Sequence, residues 1–187
     1  FDDCVVMGNR AVIKSYAKIN LTLDITGKRE NGYHDVCMVM QTVNLFDLII
    51  ADKRKSGIFL KSNLEYLPTD ERNIAYKAAC LFFKKSGICG GVSIIIHKNI
   101  PVAAGLAGGS GNGGAVLCAL NALYDFPLSR EEILDMSVTL GADVPYCIMG
   151  GTALAEGIGE KLTRLPDCPK MTILLVKPPI NVSTPEV

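Results

Sequence analysis

No charge of either sign predominates in this sequence: nineteen lysines and arginines face nineteen aspartates and glutamates over 187 residues. Without a basic excess or stripe, nucleic acid and anionic membrane surfaces lose their usual electrostatic footprint. A compact anion held by backbone amides remains allowed, because it needs no net charge. Long apolar runs are also missing, and none approaches the ~18 residues that span a bilayer. The opening FDDCVVMGNR lacks the basic-then-apolar order of a signal peptide. The seven cysteines (4, 37, 80, 89, 118, 147 and 168) include no C-x-x-C pair, which argues against a disulfide framework or a zinc site. They read as reduced thiols acting as small core hydrophobes, and the expected compartment is cytoplasmic.

What is abundant is glycine, concentrated in the stretch PVAAGLAGGSGNGGAV that begins at Pro101. Two well-known patterns match it literally. The dinucleotide-binding G-x-G-x-x-G fits from Gly109, but Gly109 lies twelve residues past His97, where the apolar run ends, with a proline between. The next acid, Asp125, does not close a strand as that fold requires. The protein-kinase pattern fails because the two histidines open HDV and HKN rather than H-R-D, and no D-F-G occurs. Walker A fails because no lysine follows the glycines. What remains is a long, side-chain-poor loop running into a helix, which suits a polyphosphate. Unpaired amides converge on it, the helix dipole favours its charge, and glycine lets the backbone come close. A tightly packed connection that binds nothing is the plain alternative.

Along the chain, Ile19, Leu21, Leu23 and Ile25 alternate with Asn20, Thr22 and Asp24, predicting a strand with one buried face and Lys18 on the other. Residues 27–34 read as a turn. Residues 36–51 read as buried strand broken near Asp47, and 57–60 as a short strand. Residues 70–86 predict a helix stopped at Gly87, and 92–97 a strand. Val116, Leu117, Leu120 and Leu123 mark a second helix. Ser129 to Glu132 forms a capping box opening a third, which Gly141 ends. Pro145 predicts an extended exit, followed by short strands at 146–149, 152–156 and 161–165. Strands first, then helices interleaved with strands, indicate an α+β sandwich. The late apolar run 171–176 reads as a strand lacking partners, and the first methionine is Met7, so the sequence reads as part of a longer chain.

Four segments together are similar to the GHMP small-molecule kinases: AKINL from Ala17, GKRENGYH from Gly27, the glycine loop, and LGADVP from Leu140. AEGIGE from Ala155 and the Ser183-Thr-Pro185 triplet extend the likeness. The resemblance implies a two-domain kinase with a left-handed βαβ element. Its N-terminal α/β sandwich, related to the ribosomal protein S5 domain 2-like fold, would span 1–162, and 163–187 would begin a C-terminal domain. It implies ATP with Mg2+ as co-substrate and, from the GYH segment, a cytidyl-diphosphate sugar alcohol as acceptor. No dedicated protein metal site, nucleic acid or membrane partner is implied.

Carried over residue by residue, Asp143 is the base and Lys18 its electrostatic partner, steadying the hydroxyl or the transferring phosphoryl. ATP would be clasped by Pro101, Val102, Ala103, Ala104, Gly105, Leu106, Ala107, Gly108, Gly109, Ser110 and Gly111, with Asn73 bordering the adenine or capping a helix. Asn20, Tyr33, His34 and Lys98 would meet substrate, Tyr33 stacking on the base and His34 bonding its edge. From residues alone each has a plainer reading: a local loop aspartate, a solvated lysine, a capping aromatic, a strand-end cation. The family usually has two serines and then alanines where this chain reads Ser110-Gly111-Asn112-Gly113-Gly114. A serine restored at Gly111 is therefore expected to preserve or raise activity. A nucleotide-binding module without catalysis, or a related kinase with another acceptor, remains the alternative.

Overall fold

The structure, a computed structural model, describes residues 4–29, 32 and 34–178. Its spine is a long antiparallel hairpin of β2 (Arg10–Lys28) and β3 (His34–Arg54), registered from Arg10 opposite Asp52 to Lys28 opposite His34. β1 (Val5–Met7) borders β2. The far edge of β3 is shared. β5 (Gly91–His97) pairs with its C-terminal half and β6 (Thr152–Gly157) with its N-terminal half. β4 (Gly57–Ser62) lies parallel to β5, and β7 (Lys161–Arg164) antiparallel to β6. The parallel pair needs a crossover, supplied by α1 (Ile74–Ser86). Then follow α2 (Gly108–Leu123), α3 (Arg130–Ser137), a 3-10 turn (Val138–Leu140) and α4 (Val144–Met149).

The α+β expectation holds. Helices and sheet share one core, in which Ile13, Ile49, Ile94 and Ile96 meet Phe82, Val116, Leu117 and Leu120, all at least nine-tenths buried. A smaller cluster of Met38, Met40, Tyr146, Ala153 and Ala155 lies under the β3–β6 half. Local signals also behave as read. Ser129 and Glu132 complete the reciprocal capping box, and Gly87 ends α1 in the left-handed region, at φ 68°.

Several expectations need correction. β3 runs unbroken through Asp47, which is fully buried. Residues 146–149 are helical, because Pro145 sits in the first turn of α4, where its missing N–H is no loss. α2 begins at Gly108, far ahead of Val116. Glycine is a poor helix former, yet a Cβ at Gly113 would lie 2.6 Å from Ile74 Cγ2, so close packing outweighs propensity. The strand through Leu21, Leu23 and Ile25 forms, but these side chains are exposed. Register shifts at Tyr16/Ala17 and Asn20/Thr22 end the row that is buried as far as Ala17. Residues 171–176 form no strand, and Leu174 is 86% exposed. Lys18, read from alternation as solvated, is 6% exposed. All seven thiols are free, but only Cys118 is a buried core residue, whereas Cys80 and Cys89 are exposed. Among the described residues, no helix is long and apolar enough to cross a membrane.

Candidate active site

The glycine loop leaves β5, passes 101–107 and enters α2 without a side-chain cap. Ala107, the residue at the helix entrance, has φ 54° and ψ 27°, and Ala103 also has φ 54°. These left-handed conformations are unfavourable for a residue with a Cβ. They turn the loop back toward β2, where the Lys18 N–H donates to the Leu106 carbonyl at 3.1 Å. The first intrahelical bond there runs from Gly111 N to Ala107 O at 2.7 Å. The N–H groups of Gly108, Gly109 and Ser110 precede it, in the helix turn that lacks internal acceptors.

Below this loop lies a cavity of about 500 Å³. Its lining includes Lys18, Asn20, Asn73, Lys98, residues 101–110 and Asp143. These residues come from β2, the start of α1, the end of β5, the loop and the start of α4. Lys18 Nζ donates to Asn20 Oδ1 at 3.0 Å and stands 3.5 Å from Asp143 Oδ2. Asp143 precedes α4, but its carboxylate makes no capping bond to that helix. It is thus not consumed by local amides, the plainer reading of a loop aspartate. One turn on, burial first and the Asp143 charge second push the Cys147 thiol up to about 12.

Not every expected residue has a free functional group here. Asn73 caps α1, accepting from Ala75 N at 3.0 Å and donating to Pro68 O at 2.8 Å. Lys98 reaches the cavity wall, but its ammonium is held by Asp47 and by Asn112 Oδ1. Gly111 lies on the opposite side of α2's first turns, facing Ser15, Tyr16 and Cys147. A Cβ there would come within 2.7 Å of Ser15 Oγ, so a side chain at 111 requires Ser15 to move. His34 is exposed at the start of β3 and does not line the cavity. Tyr33 and Ser183-Thr-Pro185 lie outside the described residues.

Comparison with known proteins accords with this arrangement. The family model for the N-terminal domain of GHMP kinases matches residues 73–151. A protein of Clostridium botulinum (strain Eklund 17B / Type B) named 4-diphosphocytidyl-2-C-methyl-D-erythritol kinase is 54% identical over 94% of this chain. A Clostridium beijerinckii protein of the same name is 55% identical over the same share. Residues 73–151 form a GHMP kinase N-terminal domain.

The chain spans 62% of the length of each of those relatives. A crystal structure of 4-(cytidine 5'-diphospho)-2C-methyl-D-erythritol kinase superposes with TM-score 0.72 at 37% identity, over 82% of this chain and 55% of that one. The mevalonate kinase of Methanococcus jannaschii, at 15% identity and TM-score 0.65 over 86% of this chain and 57% of its own, shares the fold. Within this GHMP frame, sequence reading missed Asp47, Ser15 and Asn112, three buried polar side chains behind the loop. For Asp47 a signal existed. An acid inside the apolar run 36–51 demands a buried partner rather than a chain break.

Proposed function

We propose that this chain carries the ATP-binding and base-bearing part of a kinase. The enzyme would transfer the γ-phosphoryl group of ATP to the 2-hydroxyl of 4-diphosphocytidyl-2-C-methyl-D-erythritol, a step of isoprenoid precursor synthesis in the cytoplasm. The observation that carries the reading is one cavity walled by the glycine loop on one side and by Lys18, Asn20 and Asp143 on the other. The names of relatives more than half identical supply the acceptor. Residues 1–162 form the ATP-binding domain in this reading, and 163–187 open a second one.

The triphosphate lies against the loop and the unpaired amides of Gly108, Gly109 and Ser110, where the α2 dipole favours its charge. The acceptor hydroxyl sits at Asp143. As its oxygen bonds to the γ-phosphorus, the bond from that phosphorus to the β-γ bridging oxygen breaks. The hydroxyl proton passes to Asp143 Oδ2, and ADP leaves. Lys18, buried and aimed at Asp143, steadies the negative charge on the hydroxyl oxygen and the moving phosphoryl.

Among the described residues no group of three or more His, Cys, Asp or Glu side chains could hold a metal alone. Mg2+ carried on the phosphates would be held with help from Asp143 and Ser110, oxygen-bearing side chains of the cavity lining. Bound there, Mg2+ supplies charge neutralisation on the phosphate oxygens.

The test is ADP release by the full natural chain with ATP, in the presence and absence of the cytidyl alcohol. Release that depends on the alcohol supports the reading. ATP binding with no alcohol-dependent release would leave a nucleotide-binding module, and turnover on another alcohol would reassign the acceptor.

A further inference from the structure

The carboxylate of Asp47 is fully buried at the centre of β3, where an ionised group is retained only if its lone pairs are met. Among the described residues, every donor it finds comes from the two ends of the glycine loop. On the entering side, Asn99 N donates to Oδ1 at 2.7 Å and Ile100 N at 2.9 Å, while Lys98 Nζ binds Oδ2. On the leaving side, Asn112 Nδ2 donates to Oδ2 at 2.8 Å. Asn112 in turn accepts from Lys98 Nζ at 3.1 Å and donates to Ser15 Oγ at 3.2 Å. The backbone of Lys98 is fixed separately by Asn63, which accepts from its N–H at 2.7 Å and donates to its carbonyl at 3.2 Å.

We propose that Asp47 is a positioning residue whose single carboxylate, mounted on a central strand, sets the separation of the two ends of the nucleotide loop. Residues 101–110 hold no charged side chain, and a segment with three glycines could not set that separation by itself. Clamped ends spare ATP the ordering of the whole segment, which preserves affinity. Lys98 serves here as the counter-ion of Asp47, not as a contact for substrate phosphates, in keeping with a side chain only 4% exposed.

A purely structural ion pair would differ in one respect. Its replacement by apolar groups is often tolerated, whereas Asp47 also accepts two backbone amides, which any apolar residue would orphan. The proposal rests on the reading of the loop as a triphosphate cradle.

The experiment uses the full natural chain and its Asp47→Asn variant. The amide of Asn cannot accept from Asn112 and from the loop amides together, and it leaves the Lys98 charge unmatched. The KM for ATP is expected to rise about tenfold or more, as for loss of a charged hydrogen bond, with the KM for the acceptor alcohol little changed. A lower melting temperature with both KM values unchanged, or an equal rise in both, overturns the proposal. Amide hydrogen exchange on the unsubstituted chain tests it even if the variant fails to fold. Asn99 and Ile100 should be protected without nucleotide, and 103–109 only once ATP is added. Rapid exchange at 99 and 100 overturns the clamp. Absence of ATP-induced protection throughout 101–110 instead refutes the cradle reading, leaving the result at 99 and 100 to judge the anchor alone.

Discussion

Lys18 Nζ lies 3.5 Å from Asp143 Oδ2, the lysine side chain 8% exposed and the aspartate 31%. The cation is thus fixed in the wall while the carboxylate keeps a face open to an incoming hydroxyl. Replacing Asp143 by Asn keeps the shape and removes the base. Turnover should fall by about 10²- to 10⁴-fold, while the Kd for ATP, measured by calorimetry, stays nearly unchanged. Near-normal turnover would remove Asp143 from the mechanism.

Position 111 carries a prediction about stability. The side chain of a serine or alanine there meets Ser15 Oγ at 2.7 Å and the Tyr16 carbonyl at 3.4 Å. Ser15 Oγ also accepts from Asn112, so displacing it disturbs the buried network. Gly111→Ala should lower stability in urea unfolding by about 1–3 kcal/mol, the usual range for overpacking. In a Ser15→Ala background the loss should shrink by about 1 kcal/mol or more, a coupling expected of touching residues. Additive effects would show that the two positions do not compete for space.

Ala107 occupies the left-handed region, which disfavours a Cβ by roughly 1–2 kcal/mol. Ala107→Gly removes that strain but gives part of the gain back as unfolded-chain entropy. A net gain of about 0.5–1 kcal/mol in thermal unfolding is expected. A loss of stability would contradict the strained conformation.

Asn73 separates two roles by two measurements. Its side chain is engaged as the α1 cap. Asn73→Ala should therefore cost about 1 kcal/mol of stability and leave the Kd for ATP unchanged. Weaker ATP binding at unchanged stability would assign the residue to the adenine instead.

Burial raises the Cys118 thiol to about 12. An unfolded cysteine ionises near 8.5. Because the folded value is the higher one, this stabilisation is complete below the unfolded value and is lost as pH climbs toward 12. Stability should fall between about pH 9 and 12 by about 1.4 kcal/mol per unit from this thiol, and Cys118→Ala should flatten that part of the profile. At pH 8, iodoacetamide should modify the exposed Cys80 and Cys89 while Cys118 stays protected until the chain unfolds. An unchanged slope in Cys118→Ala would show that another group governs the alkaline limb.

Much of the scaffold was legible because its signals are local. The Ser129–Glu132 box, the Gly87 stop and the β-rich run before His97 each act within a few residues. What escaped was set by distant partners. The acid in the apolar run signals a buried partner, but nothing near Asp47 says that Lys98 will supply the charge and three amides the hydrogen bonds. The glycines of α2 looked like loop because their low propensity is visible and the close approach of Ile74 and Ser15 is not. Tyr146 to Met149 is short and apolar, a length at which strand and buried helix share one pattern. The alternation at 19–25 gave the strand but not its environment, since bulges in the register change which row is covered. At the site, Lys18, Asn20, Asp143 and 101–110 line one cavity, while His34 stands apart.

The sharing of β3 between two partners also bears on how the chain acquires its structure. Hairpin pairing of β2 with β3 needs only a short turn, so it can form early, as can the capped helices. The N-terminal half of β3 then waits for β6, with Val36 finding Gly157 from far along the chain. Between them the parallel β4–β5 pair must close around α1. Such non-local pairing slows folding and leaves a bare strand edge in the meantime. The edge of residues 36–41 is thus the place where an unfinished or stalled chain would be most prone to capture a neighbour, and refolding yield should fall with protein concentration for that reason.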